Sequence, residues 1–150
     1  MALAKVLAGK SLLIKVSDGG GTPVFAHPCL INAARGIVFS AETNETRIPD
    51  CSDPELIAWI KREKISISGA VNGAGVLNTT DTEFYYDWVS DADPIAVQVI
   101  LNGVTGANGG GYFAGDWHCT QFGLSGDLGE YVQVDIQLVS DGTITWTDNA

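Results

Sequence analysis

The sequence predicts a mainly β protein: an antiparallel β-sandwich or partly closed barrel with one flanking α-helix and a long polar loop. Three observations carry this. Glycine is frequent, 18 of 150 residues, and charged residues make up only 17%, which suits a turn-rich β domain better than a helical bundle or a disordered chain. Several segments alternate apolar and polar residues, among them Ile65-Ser66-Ile67-Ser68 and Val132 to Leu138, as half-buried strands do. A single main helix, opening at Thr80, combines a start signal with aromatic residues at helical spacing. A chain of 150 residues fits one domain, residues 1–150, long enough to bury a core.

The elements follow in order. Leu12 to Val16 is a short apolar strand, and Ser17 to Gly21 is a turn. Val24 to Ile31 and Gly36 to Glu42 read as strands. Residues 43 to 54 are polar and read as a loop. Ser52-Asp53-Pro54-Glu55 fits the start of a short helix, with Ser52 as cap, Glu55 in the capping-box position and Leu56, Ile57 and Ile60 sharing a face. Ile65 to Val71 returns to strand. Thr80-Asp81-Thr82-Glu83 is a second capping box. It opens a helix with Phe84, Tyr85, Trp88 and Val89 on one side, and Asp93-Pro94 stops it, because the residue before proline is pushed out of the helical region. Ile95 to Leu101 is a strand with Ile95, Val97, Val99 and Leu101 on one face. Asn102 to Gly111 is a glycine-rich loop. Tyr112 to Gly115, Trp117 to Leu124 and Tyr131 to Leu138 are strands. Asp141-Gly142 signals a hairpin, with Thr143 to Thr147 as the returning strand.

Charge is unevenly distributed. Lys64 is the last Lys or Arg; Ile65 to Ala150 hold eleven acids and no base other than His118, whereas the first 64 residues carry eight bases against seven acids. Nucleic-acid binding draws most of its affinity from Lys and Arg on phosphates, so a surface built from the second half would repel DNA. Such a surface still guides a polyanion by refusing to hold it. The three cysteines, Cys29, Cys51 and Cys119, are an odd, scattered set without a CxxC pair, so a disulfide framework is not expected and a reducing compartment is the default. Met1 to Leu13 holds two lysines and no long apolar run, unlike a signal peptide. No stretch reaches the length of a membrane-spanning helix.

The chemistry-bearing motifs have plain readings. Asp116-Trp117-His118-Cys119 and His27-Pro28-Cys29 contain residue types that zinc takes. Nothing in the spacing requires the two segments to meet, so no metal is expected. No GxSxG elbow supports a nucleophile. The glycine clusters do not form GxGxxG between a strand and a helix. Asp91-x-Asp93 lacks the rest of a calcium loop. No pair of catalytic residues stands out, and neither an enzyme activity nor a cofactor is expected. The residues by themselves leave open a β-sandwich carbohydrate-binding or adhesin module using exposed Tyr, Trp and Asp. A binding module would stay monomeric or weakly dimeric.

Segments spread along the chain resemble one family. Gly9-Lys10-Ser11-Leu12-Leu13-Ile14-Lys15-Val16 is similar to its opening strand, Ser40-Ala41-Glu42-Thr43 to the end of its next strand, and Lys64 to Val71 to its Ser-Ile-Ser-Gly strand. Leu138 to Trp146 is similar to its closing run. The family is the major tail tube protein of long-tailed, non-contractile bacteriophages and of phage-derived gene transfer agents. The family's Gly-Gly-Trp-Arg segment is missing; Asp53 to Ile60 stands in its place, with Trp59 as the tryptophan.

The resemblance implies a structural protein that assembles with itself as hexameric rings. Strands join edge to edge in an inner barrel, and the rings stack into a tube that conducts DNA without binding it specifically. A tail terminator or related ring protein is the alternative within such a particle. The implied partners are further copies of the chain and other tail proteins (terminator, baseplate, tape measure), with no membrane. The implied location is the particle's tail, after synthesis in the bacterial cytoplasm. The resemblance also places an inter-subunit loop at Thr43 to Glu63, with Arg47, Trp59, Lys61, Arg62 and Lys64 at the subunit interface. It places lumen-facing strands at Gly36 to Glu42 and Ile65 to Val76, with Glu42, Ser66, Ser68 and Asn72 facing the channel. Lys61, Arg62 and Lys64 would meet an acidic face of the next ring.

Overall fold

The computed structural model describes residues 3–17, 25–26 and 34–149. Seven strands form one sheet in the order β2-β1-β5-β6-β7-β4-β3. They are β1 (Leu12–Ser17), β2 (Phe25–Ala26), β3 (Ala34–Ile48), β4 (Trp59–Val76), β5 (Ile95–Leu101), β6 (Gly111–Ser125) and β7 (Gln133–Asp148), with one helix, α1 (Thr82–Ser90), between β4 and β5. The chain divides into two compact units. The first holds residues 1–38 and 69–150, the second Phe39–Ser68. β3 and β4 each pass from one unit to the other.

In the first unit, the expected alternation becomes the core. Ile14 on β1, Val97 and Val99 on β5, Trp117 on β6 and Ile136 and Leu138 on β7 are all buried. β5 pairs antiparallel with β1 and β6, and β7 pairs antiparallel with β6 and β4. α1 covers this apolar side. The Trp88 indole N–H donates to the Trp117 carbonyl at 3.2 Å, and the Tyr85 ring stacks on Phe122 with centroids 5.8 Å apart. Tyr85 and Trp88 are buried while Tyr86 is 64% exposed, so the helix aromatics are mostly core. Asn149 holds the glycine-rich loop after β5: its side-chain amide donates to the carbonyls of Leu101 and Val104, at 3.0 and 2.8 Å.

The mainly β class with one flanking helix stands, as a single sheet that does not close into a barrel. Several local expectations change. Ser52 to Ile60 is not helical: Asp50 accepts the Ser52 N–H and Asp53 accepts the Glu55 N–H through their carboxylates. These side-chain turns compete with helix, and Leu56 and Ile57, 57% and 94% exposed, find no surface against which a short helix would be stabilised. The capping box at Thr80 does not form either. A 3-10 turn over Thr79–Asp81 leads into α1; Thr80 donates to Asn78, and Asn78 in turn donates to Asp81. α1 stops at Ser90, ahead of Asp93-Pro94, where the Asp91 N–H donates to the Asp87 carbonyl at 2.8 Å. Asp141-Gly142 does not reverse the chain. β7 runs through it, with Gly142 at φ 84° and a register shift against β6 between Ala114 and Asp116. A left-handed glycine also makes a bulge, and β6, already paired on that edge, leaves no room for a returning strand. β6 is likewise one strand rather than two. The turn expected at Ser17 to Gly21 and most of the strand expected at Val24 to Ile31 lie outside the described residues.

Two measurements test this packing. A Cβ at Gly142 meets nothing within 4 Å, so Gly142→Ala isolates the cost of the left-handed backbone and should destabilise by about 1–2 kcal/mol. Gly36→Ala, equally free of contacts and without a positive φ, should be neutral or stabilising in the same urea titration. The cysteines give a second test. Cys119 is buried and Cys51 exposed. Burial pushes the Cys119 thiol up to about 11, against a smaller lowering from backbone hydrogen bonding at Gln121. Only the thiolate alkylates. Peptide-resolved iodoacetamide labelling at pH 8.5 should therefore modify exposed Cys51 faster than buried Cys119. Equal rates would contradict the placement of Cys119.

Candidate subunit interface and channel surface

The residues expected to face a channel or a neighbour concentrate in the second unit. It consists of the outer parts of β3 and β4 and the connection between them, residues 49–58. The expected long loop is thus mostly strand: the span from Thr43 to Glu63 is β3 as far as Ile48 and β4 from Trp59.

Side-chain contacts define one side of this hairpin. The Ser40 and Ser68 hydroxyls lie 3.3 Å apart, and the Ser66 hydroxyl donates to the Glu42 carboxylate at 3.3 Å. Successive strand residues point to opposite sides, so Phe39, Ile65 and Ile67 project from the other. They are 42%, 64% and 74% exposed. The hairpin therefore has a hydroxyl-and-carboxylate side and an apolar side on which Ile65 and Ile67 are mostly exposed. Of the four channel candidates, Glu42, Ser66 and Ser68 come together on the polar side. Asn72 belongs to the first unit, where it is exposed and lines a shallow cleft of about 300 Å³ with Arg35, Gly73 and Asp135.

The interface candidates Arg47, Trp59, Lys61, Arg62 and Lys64 are all exposed. Trp59 leaves 88% of its surface uncovered. Arg62 donates from Nε to Glu45 Oε1 at 2.9 Å. With both partners more than half exposed, that pair adds little stability. Among the described residues, Arg47, Lys61 and Lys64 have no ion-pair partner.

The zinc-type residues point apart. His118 Nε2 lies 3.2 Å from Asp141 Oδ2, while the neighbouring Cys119 turns into the core. Adjacent strand residues cannot present both side chains to one ion. Among the described residues, no cluster of three or more His, Cys, Asp or Glu is arranged for a metal; His27 and Cys29 lie outside them. No helix among the described residues is long and apolar enough to cross a membrane.

One surface was not singled out by the sequence patterns. The connection between β6 and β7, residues 126–132, forms a turn in which the Glu130 N–H donates to the Asp127 carbonyl at 3.1 Å. Gly129, at φ 86°, supplies the left-handed position that such a turn needs. The turn holds Leu128 fully exposed and Tyr131 81% exposed, flanked by Asp127 and Glu130. Large apolar residues alternating with acids in a glycine turn were the available signal.

Solved structures show where this fold recurs. The tail of an empty gene transfer agent particle, refined with C6 symmetry, superposes with a TM-score of 0.73 at 24% identity, covering 95% of this chain and 99% of that one. The SPP1 tail tube gives a TM-score of 0.59 at 13% identity, covering 97% and 80%. The tube-terminating cap of the anti-feeding prophage gives 0.64 at 10% identity, covering 98% and 95%. Comparison with curated proteins by sequence gives no match. The family model for phage tail tube proteins matches residues 6–146; with nearly its whole length inside that match, this chain belongs to the phage tail tube protein family, whose role is structural.

Proposed function

We propose that copies of this chain close head to tail into six-membered rings, and that the rings stack into a tube through which DNA passes without specific binding. The observation that carries this reading is the exposure of Ile65 and Ile67 on the apolar side of the hairpin. Ile65-Ser66-Ile67-Ser68 has the alternation of a half-buried strand, yet both isoleucines are mostly exposed in the single chain. Burying them at about 25 cal/mol per Å² would favour association, and a neighbouring copy is the occupant that the family implies. The sheet also ends in β2 and β3. An open edge invites further pairing, and closure into a ring removes it. Head-to-tail contacts are heterologous and close by rotation. The gene transfer agent tail of similar fold has C6 symmetry, which supports a ring of six.

In this assembly the polar side of the hairpin, with Ser40, Glu42, Ser66 and Ser68, faces the channel, and Asn72 of the first unit is a further channel residue. These residues offer hydroxyls, carboxylate and amide, which do not hold phosphate, while alternation sets Lys64 further out on the same side of β4. Terminator, baseplate and tape-measure proteins are the further partners of such a tube. Its place is the tail of a phage or phage-like particle.

Negative-stain microscopy of the purified protein across a concentration series tests the reading. Uniform rings or tubes with a central channel are expected. Ile65→Asp with Ile67→Asp should keep the fold of the single chain, since neither side chain is in its core, and should abolish rings and tubes. Assembly that survives both substitutions would overturn the role given to the apolar side. For the channel, Ser66→Lys with Ser68→Lys should make assembled tubes retain short duplex DNA at low salt. Wild-type tubes should retain none.

A further inference from the structure

Asparagine followed by glycine is chemically labile, because the glycine nitrogen can attack the Asn side-chain carbonyl carbon. Glycine is permissive for this: it has no side chain in the way and its backbone rotates freely. The sequence holds three such pairs, Asn72-Gly73, Asn102-Gly103 and Asn108-Gly109. The fold gives each a different setting.

Asn72-Gly73 lies inside β4, with Asn72 opposite Gln137 and Gly73 opposite Ile136 on β7, and Gly73 is buried. Attack needs rotation of the backbone between the two residues, and the ladder holds that backbone extended. Asn108-Gly109 is exposed, but its reacting groups are engaged. Asn108 Oδ1 accepts from Lys5 Nζ at 2.8 Å, and Nδ2 donates to Thr105 Oγ1 at 3.1 Å. The Gly109 N–H, the attacking group, donates to the Gly106 carbonyl at 3.1 Å.

Asn102-Gly103 is neither paired in a ladder nor engaged in this way. It is exposed and turns the chain directly after β5, with Gly103 at φ 81°. Among the described residues, neither the Asn102 side chain nor the Gly103 N–H makes a hydrogen bond. A Cβ on Gly103 would meet nothing within 4 Å, so a ring closing on its nitrogen has room.

We propose that Asn102 is a site of spontaneous deamidation. The Gly103 nitrogen bonds to Asn102 Cγ, the Cγ–Nδ2 bond breaks, and ammonia leaves with the proton of the Gly103 nitrogen. Water then opens the resulting cyclic imide at either carbonyl, giving aspartate or isoaspartate; nothing is oxidised or reduced. Both products add a carboxylate. Isoaspartate also puts an extra carbon into the main chain, inside a turn that Asn149 brackets by donating to the Leu101 and Val104 carbonyls. The longer main chain spreads those two carbonyls. It thereby weakens the tie between the glycine-rich loop and the residue that follows β7. The reaction needs only water and is independent of how copies assemble.

Peptide mapping of the purified chain, incubated at mildly alkaline pH, tests the site. Asn102 should convert at least about tenfold faster than Asn72 or Asn108, since each hydrogen bond that must break adds to the barrier. In guanidinium chloride the three rates should converge, because the fold makes the difference. Asn72 or Asn108 converting as fast as Asn102 in the folded chain, or an Asn102 that stays intact, would overturn the assignment. The added charge separates the converted chain on anion exchange. Its isoaspartate form should unfold at lower urea than Asn102→Asp, which carries the charge without the extra carbon. Equal midpoints would overturn the consequence for the Asn149 bracket.

Discussion

The pairing of β6 with β7 is the constraint on which the rest depends. It runs from Gly111↔Asp148 to Ser125↔Gln133 and sets every other placement in the first unit. β5 and then β1 add to the free edge of β6, β4 adds to that of β7, and α1 lies over the side on which Trp117 and Leu138 are buried. Two register shifts break the ladder, between Ala114 and Asp116 and between Cys119 and Gln121. Such irregularities locally bend and twist a strand. The second falls between Cys119, in the core, and Phe122, which packs against Tyr85. A strand without it would turn one of those two side chains to the wrong side, because alternation has a period of two.

The same alternation has opposite consequences in the two units. In β5 and β7 it places Val97, Val99, Ile136 and Leu138 in a core that the helix closes. In the outer part of β4 it produces Ile65 and Ile67, and no helix is supplied for them. The energy that folds the first unit is therefore left unspent in the second. A hairpin alone is marginally stable in water, and here its own cross-strand contacts are a hydroxyl pair, a hydroxyl–carboxylate bond and one exposed ion pair. For such an element the fold and the assembly are one problem: what covers the apolar side also rigidifies the arm.

Much of this was legible in the residues. Strand positions with strict alternation, such as Ile95 to Leu101, match the structure end to end, because local pattern and burial agree there. The misreadings share one cause. Ser52 to Glu55, Thr80 to Glu83 and Asp141-Gly142 are short motifs whose residues have two uses. Asp and Ser cap helices, and they also make the side-chain turns found at Asp50 and Asp53. Gly142 serves a hairpin turn or a bulge with the same backbone angle, and only the strand alongside decides between them. At the interface, the polar grouping of Glu42, Ser66 and Ser68 followed from alternation and the family resemblance. The exposed 126–132 turn did not, because exposure of Leu128 is invisible until the turn between β6 and β7 is seen.

The charge asymmetry of the chain acquires a physical purpose from this arrangement. A conduit for a polyanion needs walls that do not bind it, and any lysine in the wall adds affinity that slows passage. Yet an assembly made only of acidic copies repels itself. Restricting the bases to the first 64 residues meets both demands if they are used between copies rather than toward the channel. Three of them, Arg47, Lys61 and Lys64, lie in the second unit without ion-pair partners among the described residues, and Arg62 is already held by Glu45. In the proposed assembly, attraction between those bases and acids of another copy would offset part of the self-repulsion. It is also screened by salt, whereas burial of Ile65 and Ile67 is not. In the proposed assembly the two contributions would divide the work: burial of Ile65 and Ile67 would set how strongly copies hold together, and charge would set which way round they meet.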